Sequence, residues 1–307
     1  MKNFTENIYA LWGDAGKDWL KLLPRLVDQI SLQWGLRDLS VVKNLSYNYV
    51  LTGFQEDSPV VLKFIFDKRA FEQERDALMF YKSNGCVGLL DSDQETQCLL
   101  LECIKPGISL RTFCLPENFK STGTIEEYRV RSVVELMKKL HTVTSIEKDL
   151  ARFQSINFWL KDLFEIQTDR IPEISEKYLI KARSLSQELM VSQAKPVLLH
   201  GDLHHENILL RNRDSWVAID PKGVIGEKEY EVGAFIRNPM PSFLEQQNPE
   251  KTITRTIELF ADYLEMDKQR LQAWSFVQAV LAACWMVQDN QDPKNMLVMT
   301  SLLDNFI

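Results

Sequence analysis

The chain has 307 residues, of which 45% are hydrophobic and 26% are charged, and it contains 12 Gly and 11 Pro. These values are typical of a globular protein long enough for two lobes with one cleft between them. The net charge of −7 argues against nucleic acid as a partner and weakly favours a cationic one, although acidity for solubility alone explains the charge equally well.

Features of membrane and secreted proteins are missing from the sequence. No apolar run approaches the length of a membrane span, so we expect no membrane association. Residues 1–7 lack the basic start and the apolar core of a signal peptide. The five cysteines are scattered and form no C-x-x-C pair: Cys86, Cys98, Cys103, Cys114 and Cys284. This pattern is typical of buried thiols in a reducing cytosol, and we expect a cytoplasmic protein.

The first third of the chain predicts one helix followed by a small antiparallel sheet. Apolar positions between residues 17 and 35 have the spacing of an amphipathic helix, in which Pro24 should introduce a kink or mark a boundary. Short β-rich runs occupy residues 40–45, 47–54, 60–66, 87–91 and 98–103, with a charged helix over 68–83. Lys105-Pro106-Gly107 interrupts this pattern, so we take residues 1–104 as the N-terminal lobe.

Residues 105–307 predict a second, mostly helical lobe. Helical periodicity covers residues 125–142, 158–165, 173–192, 251–264 and 268–288. Three short apolar strands, at 197–199, 208–210 and 216–219, interrupt the helices. The predicted fold class is therefore α+β, with a small antiparallel-sheet N-lobe and a larger, mostly helical C-lobe.

The polar residues between these strands have the spacing of a phosphoryl-transfer site. Asn207 follows Asp202 by five positions, and Asp220 follows Asn207 by thirteen. Phosphoryl transfer requires a carboxylate that orients the acceptor hydroxyl and oxygen ligands for Mg²⁺ on the nucleotide phosphates. With His200, these residues match the kinase pattern H-x-D-x-x-x-x-N followed by a metal-binding Asp. We predict Asp202 as the catalytic base, Asn207 and Asp220 as Mg²⁺ ligands, and a protein-kinase-like bilobal fold.

A strand, a polar turn and two further strands occur in many α/β proteins, and a lone H-x-D would favour that interpretation. Three polar positions at fixed offsets favour the kinase interpretation instead. We expect His200 to orient the loop by hydrogen bonding. Lys222 either touches phosphate or braces the loop, and bracing is favoured. A zinc site at His204 and His205 is disfavoured because no Cys or further His lies at ligand spacing.

Lys63 is the expected phosphate-binding lysine. It stands inside the apolar run Val60–Phe64, a costly place for a charge unless it is paired or faces a cleft. Its partner is Glu72 or Glu74; Glu74 is favoured because Leu78 and Tyr81 would then pack toward the sheet at helical spacing. A surface lysine on an edge strand is the competing interpretation.

Two further segments are candidate nucleotide contacts. Ser46, Tyr47 and Asn48 stand where a phosphate-covering loop is expected, without a Gly-rich motif, and a bare strand connection explains them equally well. The apolar strand that ends at Glu102-Cys103-Ile104 has the position of a hinge. There adenine would bond the backbone carbonyl of Glu102 and the backbone N–H of Ile104.

Taken together, these residues resemble the bacterial aminoglycoside 6-phosphotransferases (streptomycin kinases) and hydroxyurea phosphotransferases. That family lies within the aminoglycoside-phosphotransferase and choline-kinase-like superfamily. The likeness covers nearly the whole chain. Its motifs are Ser46-Tyr47-Asn48-Tyr49-Val50, Val61-Leu62-Lys63, Leu140-His141, His200–Asn207, Ala218-Ile219-Asp220-Pro221-Lys222-Gly223 and Gln278–Trp285.

The resemblance implies an ATP-dependent phosphotransferase with an alcohol group as acceptor, acting on a small molecule. A hydroxyl of a cationic aminocyclitol of the streptomycin type is the expected acceptor, and phosphorylation would inactivate the antibiotic. Carboxylates at Glu227, Glu229, Asp289 and Asp292 could hold such a substrate.

The chain departs from the family pattern at two places. Glu206 replaces a frequent Gly, and Gly226-Glu227-Lys228-Glu229-Tyr230-Glu231 carries Glu where the family often has Asp. The longer side chains could narrow the pocket toward a smaller acceptor.

Other functions stay open beside the leading one. The chain could be a kinase for a metabolite such as choline or another hydroxylated amine, or for hydroxyurea. A nucleotide-binding, pseudokinase-type module is disfavoured because Lys63, Asp202, Asn207 and Asp220 are all intact. A protein kinase is disfavoured because there is no room for an activation loop with D-F-G and A-P-E.

Overall fold

The computed structural model describes residues 2–114, 124–142, 150–167, 171–212, 215–238, 243–244 and 247–307. The chain divides into two compact units, residues 1–107 and residues 108–307. The division follows Gly107 and so lies slightly beyond the boundary expected from the sequence, which was placed after Ile104.

The N-terminal unit is built on a five-stranded antiparallel sheet. Its strands are β1 (Leu36–Val41), β2 (Tyr49–Gln55), β3 (Ser58–Phe64), β4 (Leu89–Asp93) and β5 (Cys98–Glu102), in the spatial order β1-β2-β3-β5-β4. Strands β2 and β3 pair over their whole length, from Tyr49 opposite Phe64 to Gln55 opposite Ser58. The predicted antiparallel sheet is present, but its first strand begins at Leu36 instead of residue 40.

One long helix, α1 (Lys2–Trp34), packs its apolar side chains against the sheet in a single core. Two helical segments meet at a kink inside α1, and the helix predicted over residues 17–35 corresponds to the second of them, while the first is missed. The kink is not at Pro24, which lies inside the second segment. The backbone instead leaves helical geometry at Gly13 (φ 54°, ψ −131°), a conformation that glycine adopts because it has no Cβ.

Strand β3 separates an apolar face from a charged one. Leu62 and Phe64 are fully buried in the core shared with α1. Successive side chains of a strand point to opposite faces, so Lys63 points away from that core. Helix α2 (Lys68–Tyr81) supplies Glu74 to this second face.

The C-terminal unit is mostly helical. Its helices are α3 (Ile125–His141), α4 (Ile156–Glu165), α5 (Glu176–Val191), α6 (Lys228–Arg237), α7 (Pro249–Leu264), α8 (Lys268–Gln288) and α9 (Lys294–Asp304). Every residue of α8 from Leu271 to Cys284 is buried. Helices α4, α5, α6, α7 and α9 all pack against α8, which is therefore the centre of the unit.

Short strands carry the polar loop between them. Strands β6 (Gln154–Ser155), β7 (Val197–Leu199) and β10 (Val224–Gly226) form one sheet in the order β6-β10-β7, and β8 (Ile208–Asn212) pairs with β9 (Ser215–Ala218). The loop from His200 to Asn207, called the catalytic loop below, joins β7 to β8. Asp220 follows β9 and precedes β10, so the three predicted polar positions all lie at strand ends.

Two helices of this unit escaped prediction. Helix α6 has seven consecutive buried residues, from Tyr230 to Ile236, and so has no amphipathic pattern to detect. Helix α9 begins directly after Pro293, beyond the last helix that the periodicity indicated.

Candidate active site

Lys63 and Glu74 form a buried ion pair in the N-terminal unit. Lys63 Nζ lies 2.7 Å from Oε1 and 2.6 Å from Oε2 of Glu74, and the two side chains are only 8% and 5% exposed. Glu72, the other candidate partner, instead accepts a hydrogen bond from Gln94 Nε2 at 2.9 Å. Two buried charges are tolerated because each compensates the other. The pair fixes an ammonium group on β3, as a phosphate-binding lysine requires.

The loop candidates of the N-terminal unit lie between β1 and β2. Ser46, Tyr47 and Asn48 form an irregular turn, in which Ser46 is exposed and the other two are partly buried. The Ser46 carbonyl accepts a hydrogen bond from Asn7 Nδ2 at 3.1 Å, so the turn is tied to the start of α1.

The hinge candidates lie at the end of β5. The Glu102 N–H donates to the Gly88 carbonyl at 3.0 Å, and the Gly88 N–H donates to the Glu102 carboxylate at 2.9 Å. Cys103 and Ile104 continue the chain without regular secondary structure. This segment is thus anchored at Glu102.

Asp202 lies in the catalytic loop, where three side chains hold its carboxylate. Arg237 Nη2, from α6, lies 3.0 Å from Oδ1, while Asn207 Nδ2 and His204 Nε2 lie 3.5 Å and 3.6 Å from Oδ2. Burial by itself raises the pKa of Asp202, but contact with His204 and the charges of Arg237 and Lys222 outweigh it and hold that pKa well below its usual value. Asp202 is therefore ionised at neutral pH.

Asn207 is oriented by the backbone on both sides. Its side-chain Nδ2 donates to the backbone carbonyl of Asp202 at 3.0 Å, and the backbone carbonyl of Asn207 accepts the Ile219 N–H at 2.9 Å. Because the amide nitrogen is directed at the loop, the amide oxygen points the other way and can serve as a ligand. The bond to Ile219 also ties Asn207 to the residue that precedes Asp220.

His200 connects the same two segments. Its Nδ1 accepts the Asp202 N–H at 3.3 Å, so Nε2 carries the proton and donates to the Ile219 carbonyl at 2.9 Å. Burial lowers the pKa of His200, which keeps the ring neutral. This geometry suits the orienting role expected from the sequence.

Glu231 of α6 holds the start of the catalytic loop. Its buried carboxylate accepts the His200 N–H at 2.6 Å and the Gly201 N–H at 2.9 Å, and His141 Nε2 lies 3.6 Å away. Sequence reasoning assigned no role to Arg237 and treated Glu231 only as a departure from the family. The available signal was a carboxylate directly before the apolar run Val232–Ile236, where a charge needs internal partners.

Asp220 has an uncommon backbone conformation. Its φ of 63° is left-handed, a region that costs most side chains about 1–2 kcal/mol and is accessible mainly to Gly, Asn and Asp. Its side chain is 27% exposed, and Oδ1 lies 2.9 Å from Lys222 Nζ. Left-handed non-glycine residues of this kind cluster at functional sites.

The donor set suits magnesium better than zinc. Asn207 and Asp220 offer one amide oxygen and one carboxylate, and Mg²⁺ in nucleotide sites is bound by one or two protein oxygens together with phosphates. Among the residues that the structure describes, no group of three or more His, Cys, Asp or Glu could hold a metal. His205 points elsewhere, since its Nδ1 lies 3.1 Å from the Asn238 carbonyl and burial lowers the pKa of its ring to about 3.

The structure does not support Glu227 as a substrate residue. Its carboxylate is fully buried and accepts hydrogen bonds from Trp274 Nε1, from Arg270 Nε at 2.7 Å and from the Ala194 N–H at 3.1 Å. A ligand could reach it only by breaking these contacts. The added methylene at Glu227 and Glu231 therefore lengthens side chains that point inward, and it does not narrow a pocket.

The remaining substrate candidates are accessible to different degrees. Glu229 is partly buried on α6. Asp292 is exposed and accepts the Lys294 N–H at 2.9 Å, close to where α9 begins. Asp289, at the end of α8, is partly buried, and burial raises its pKa. Of the three, Asp289 has the environment in which a carboxylate gains most from a cationic ligand.

We expect that Glu231→Ala destabilises the protein, because two buried N–H groups lose their acceptor, at about 1–3 kcal/mol for each. Glu229→Ala, two positions away on the same helix, is the matched control and should change the free energy of unfolding by less than about 0.5 kcal/mol. Urea unfolding followed by circular dichroism measures both. Equal effects of the two substitutions would contradict the anchoring role of Glu231.

The sequence matches the family model described as aminoglycoside/hydroxyurea antibiotic resistance kinase over residues 35–290. The chain is 21% identical to streptomycin 6-kinase of Streptomyces griseus over 90% of its length and 87% of the relative's. It is 25% identical to hydroxyurea phosphotransferase of Kitasatospora aureofaciens, covering 91% and 77% of the two chains.

Solved structures are similar over nearly the full length as well. Choline kinase LicA from Streptococcus pneumoniae superposes with a TM-score of 0.64 at 15% identity, over 93% of this chain and 99% of that one. Aminoglycoside phosphotransferase APH(4)-Ia, in a ternary complex with ADP and hygromycin B, gives a TM-score of 0.63 at 12% identity, over 91% and 96%. These likenesses confirm the predicted protein-kinase-like fold.

The family resemblance drawn from the motifs is confirmed by the match, which covers 256 of the 307 residues (35–290). The chain belongs to the aminoglycoside/hydroxyurea antibiotic resistance kinase family and is a phosphotransferase that acts on hydroxyl groups.

Proposed function

We propose that this enzyme transfers the γ-phosphoryl group of ATP to a hydroxyl of a cationic aminocyclitol of the streptomycin type and so inactivates it. The observation that carries the proposal is the catalytic loop, in which Asp202 is held ionised beside Asn207, and Asn207 is tied through Ile219 to Asp220. These are the groups that hydroxyl activation and Mg²⁺ binding require. Family membership supports the acceptor class.

The two parts of the chain have different functions in this proposal. Residues 1–104 form the nucleotide-binding lobe, and residues 105–307 form the catalytic and substrate-binding lobe. Lys63, fixed by Glu74, holds the nucleotide phosphates, with Ser46, Tyr47 and Asn48 covering them. The backbone of Glu102, Cys103 and Ile104 binds adenine. We propose a cytoplasmic location because ATP, the expected phosphoryl donor, is supplied there.

In the described part of the chain, no helix is both long and apolar enough to span a bilayer.

Asp202 acts mainly by orienting the acceptor hydroxyl. Its low pKa makes it a weak base, so it accepts the proton of the acceptor hydroxyl late, as the phosphorus–oxygen bond forms. Arg237 Nη2 donates a hydrogen bond to one carboxylate oxygen of Asp202 at 3.0 Å. The acceptor hydroxyl can then donate a hydrogen bond to a remaining lone pair of the carboxylate.

Asn207 and Asp220 would hold Mg²⁺ through their side-chain oxygens. When bound, the ion supplies positive charge to the nucleotide phosphates. The chain prepares both ligands beforehand, because the Asn207 amide is fixed by the Asp202 carbonyl and the left-handed backbone sets the direction of Asp220.

The acceptor side is supported by contacts that lead from Asp289 to the catalytic loop. Trp285 stands one helical turn before Asp289, and its ring lies 6.0 Å from that of Trp159. Trp159 in turn packs on Gly201, since a Cβ at that position would lie 2.8 Å from the indole. Packing thus connects Asp289, through Trp285 and Trp159, to the residue that precedes Asp202, and a guanidinium or ammonium group of the acceptor could pair with its carboxylate.

A second acceptor class has its own support. The curated relatives include a hydroxyurea phosphotransferase, and a structural neighbour is a choline kinase. Both acceptors are smaller than an aminocyclitol. The acidic candidates Glu229, Asp289 and Asp292 favour a cationic acceptor over neutral hydroxyurea, so choline or another hydroxylated amine is the stronger alternative.

We expect Lys63→Met to raise the KM for ATP and lower kcat, because it removes the ammonium group proposed to bind phosphate. Glu74→Ala should give a milder form of the same defect, because it removes the carboxylate that fixes this ammonium group. The double variant should be less impaired than the sum of the two effects, with a coupling of roughly 0.5–3 kcal/mol. Steady-state kinetics of the four proteins measures the cycle, and Glu72→Ala is the control. Strict additivity would argue against cooperation of the pair.

Replacement of Asp202 by Asn or Ala should lower phosphoryl transfer by roughly 10²–10⁴, the usual contribution of a positioned acid–base group. Nucleotide affinity, measured by isothermal titration calorimetry, should change little, because the base does not hold the phosphates. A correctly folded Asp202→Ala protein with near-normal kcat would rule out this assignment.

A panel of streptomycin, kanamycin, choline and hydroxyurea, assayed by ADP release, tests the acceptor. We expect turnover of streptomycin, with a KM that rises with salt as charge pairing is screened. Asp289→Asn should raise that KM by about tenfold or more, the worth of a charged hydrogen bond, and Asp292→Asn should raise it less. If choline is turned over and streptomycin is not, the proposed substrate is a metabolite and not the antibiotic.

A further inference from the structure

Lys222 is fixed at the catalytic loop by its backbone, while its side chain faces the predicted metal ligand. The Lys222 N–H donates to the His200 carbonyl at 2.8 Å, and its Cβ lies against Gly201. Its Nζ is 2.9 Å from Asp220 Oδ1. The ammonium group is therefore held beside the predicted metal ligand by a backbone that is tied to the catalytic loop.

Bracing of the loop does not explain this lysine. The side chains of Lys222 and Asp220 are 41% and 27% exposed, and ion pairs of this exposure contribute about 0–1 kcal/mol. The loop already has stronger supports, since Glu231 binds two of its N–H groups and His200 joins it to Ile219. An exposed ion pair adds little to the rigidity of such a loop.

Among the described residues, Arg237 and Arg111 also form ion pairs with carboxylates of the catalytic loop, and their partners differ in kind from that of Lys222. Arg237 pairs with Asp202, the proposed base, which is not an expected metal ligand. Arg111 pairs with Glu206, which has no proposed function. Lys222 pairs with Asp220, which is expected to bind a divalent cation. Two cations on one carboxylate repel each other, so if Asp220 held a metal ion, the Lys222 ammonium would be drawn toward the negatively charged phosphates.

The catalytic loop itself supplies no such charge. Between Asp202 and Asn207 it reads Leu203-His204-His205-Glu206, with neither Lys nor Arg. Phosphoryl transfer spreads negative charge over the oxygens of the transferring group, and a cation that contacts these oxygens accelerates the reaction.

We propose that Lys222 is a catalytic residue whose ammonium group contacts the transferring phosphoryl group once Asp220 has taken its metal ion. This inference rests on the proposed function. In the step, the acceptor oxygen forms a bond to the γ-phosphorus, and the bond from that phosphorus to the β,γ-bridging oxygen breaks. The electron pair leaves with ADP, and the hydroxyl proton goes to Asp202. Lys222 donates hydrogen bonds to the γ-phosphoryl oxygens throughout and exchanges no proton.

The test compares Lys222→Gln and Lys222→Arg with the wild type, using Lys228→Gln, an exposed lysine at the start of α6, as the charge-matched control. Calorimetry with Mg²⁺ measures the Kd for ADP and for the non-hydrolysable analogue AMP-PNP, which has a γ-phosphoryl group. For Lys222→Gln we expect unchanged ADP binding, AMP-PNP binding weakened about tenfold or more, and kcat reduced roughly 10²–10³-fold. Lys222→Arg should recover most of both losses, and Lys228→Gln should match the wild type.

Three outcomes overturn the inference. If Lys222→Gln weakens ADP and AMP-PNP equally, the lysine acts only by positioning Asp220. If kcat is unchanged in Lys222→Gln while the wild type is active, no catalytic contact exists. If Lys222→Arg recovers nothing although its thermal unfolding matches the wild type, charge is not what the position supplies. A wild type that neither binds nucleotide nor releases ADP with any acceptor would instead remove the proposed function, and this inference with it.

Discussion

A single buried carboxylate, Glu231, sets the geometry of the catalytic loop. By accepting the N–H groups of His200 and Gly201, it fixes the backbone directly before Asp202. Helix α6 also carries Arg237, which holds the side chain of Asp202 itself. The backbone before Asp202, the proposed catalytic residue, and its side chain are thus positioned from one helix, which packs against the buried centre of α8. The rigidity of the site derives from the core of the C-terminal unit.

The two ion pairs that we propose for phosphate chemistry differ in burial. Lys63 and Glu74 form a closed, buried pair whose geometry is set before any ligand arrives. Asp220 and Lys222 form an exposed pair on a left-handed turn, with little energy holding them together. A buried pair preserves position, and an exposed pair permits exchange of partners. This difference is consistent with the separate roles that we propose for the two lysines: Lys63 would keep its position, and Lys222 would change its partner.

Two of the glutamates at which this chain departs from the family pattern have structural roles. Glu227 and Glu231 both point inward, the first to Trp274 and Arg270, the second to the catalytic loop. The carboxylate that we propose for acceptor binding, Asp289, stands instead at the end of α8, one turn after Trp285. Glu227 and Glu231 therefore serve internal contacts, and the groups proposed for substrate binding lie elsewhere.

The sequence by itself determined the strand-rich and helix-rich parts, the kinase-like fold and the family, because fixed polar offsets between apolar strands leave few alternatives. It also indicated Glu74 as the partner of Lys63, since helical spacing selects one face. It missed α6, whose consecutive buried residues have no periodicity, and misplaced the break in α1, which depends on the backbone of Gly13. Only the tertiary structure decided which carboxylates face inward and which cations lie beside Asp202 and Asp220. Those contacts join residues as far apart as Asp202 and Arg237, and local sequence patterns carry no information about such distances.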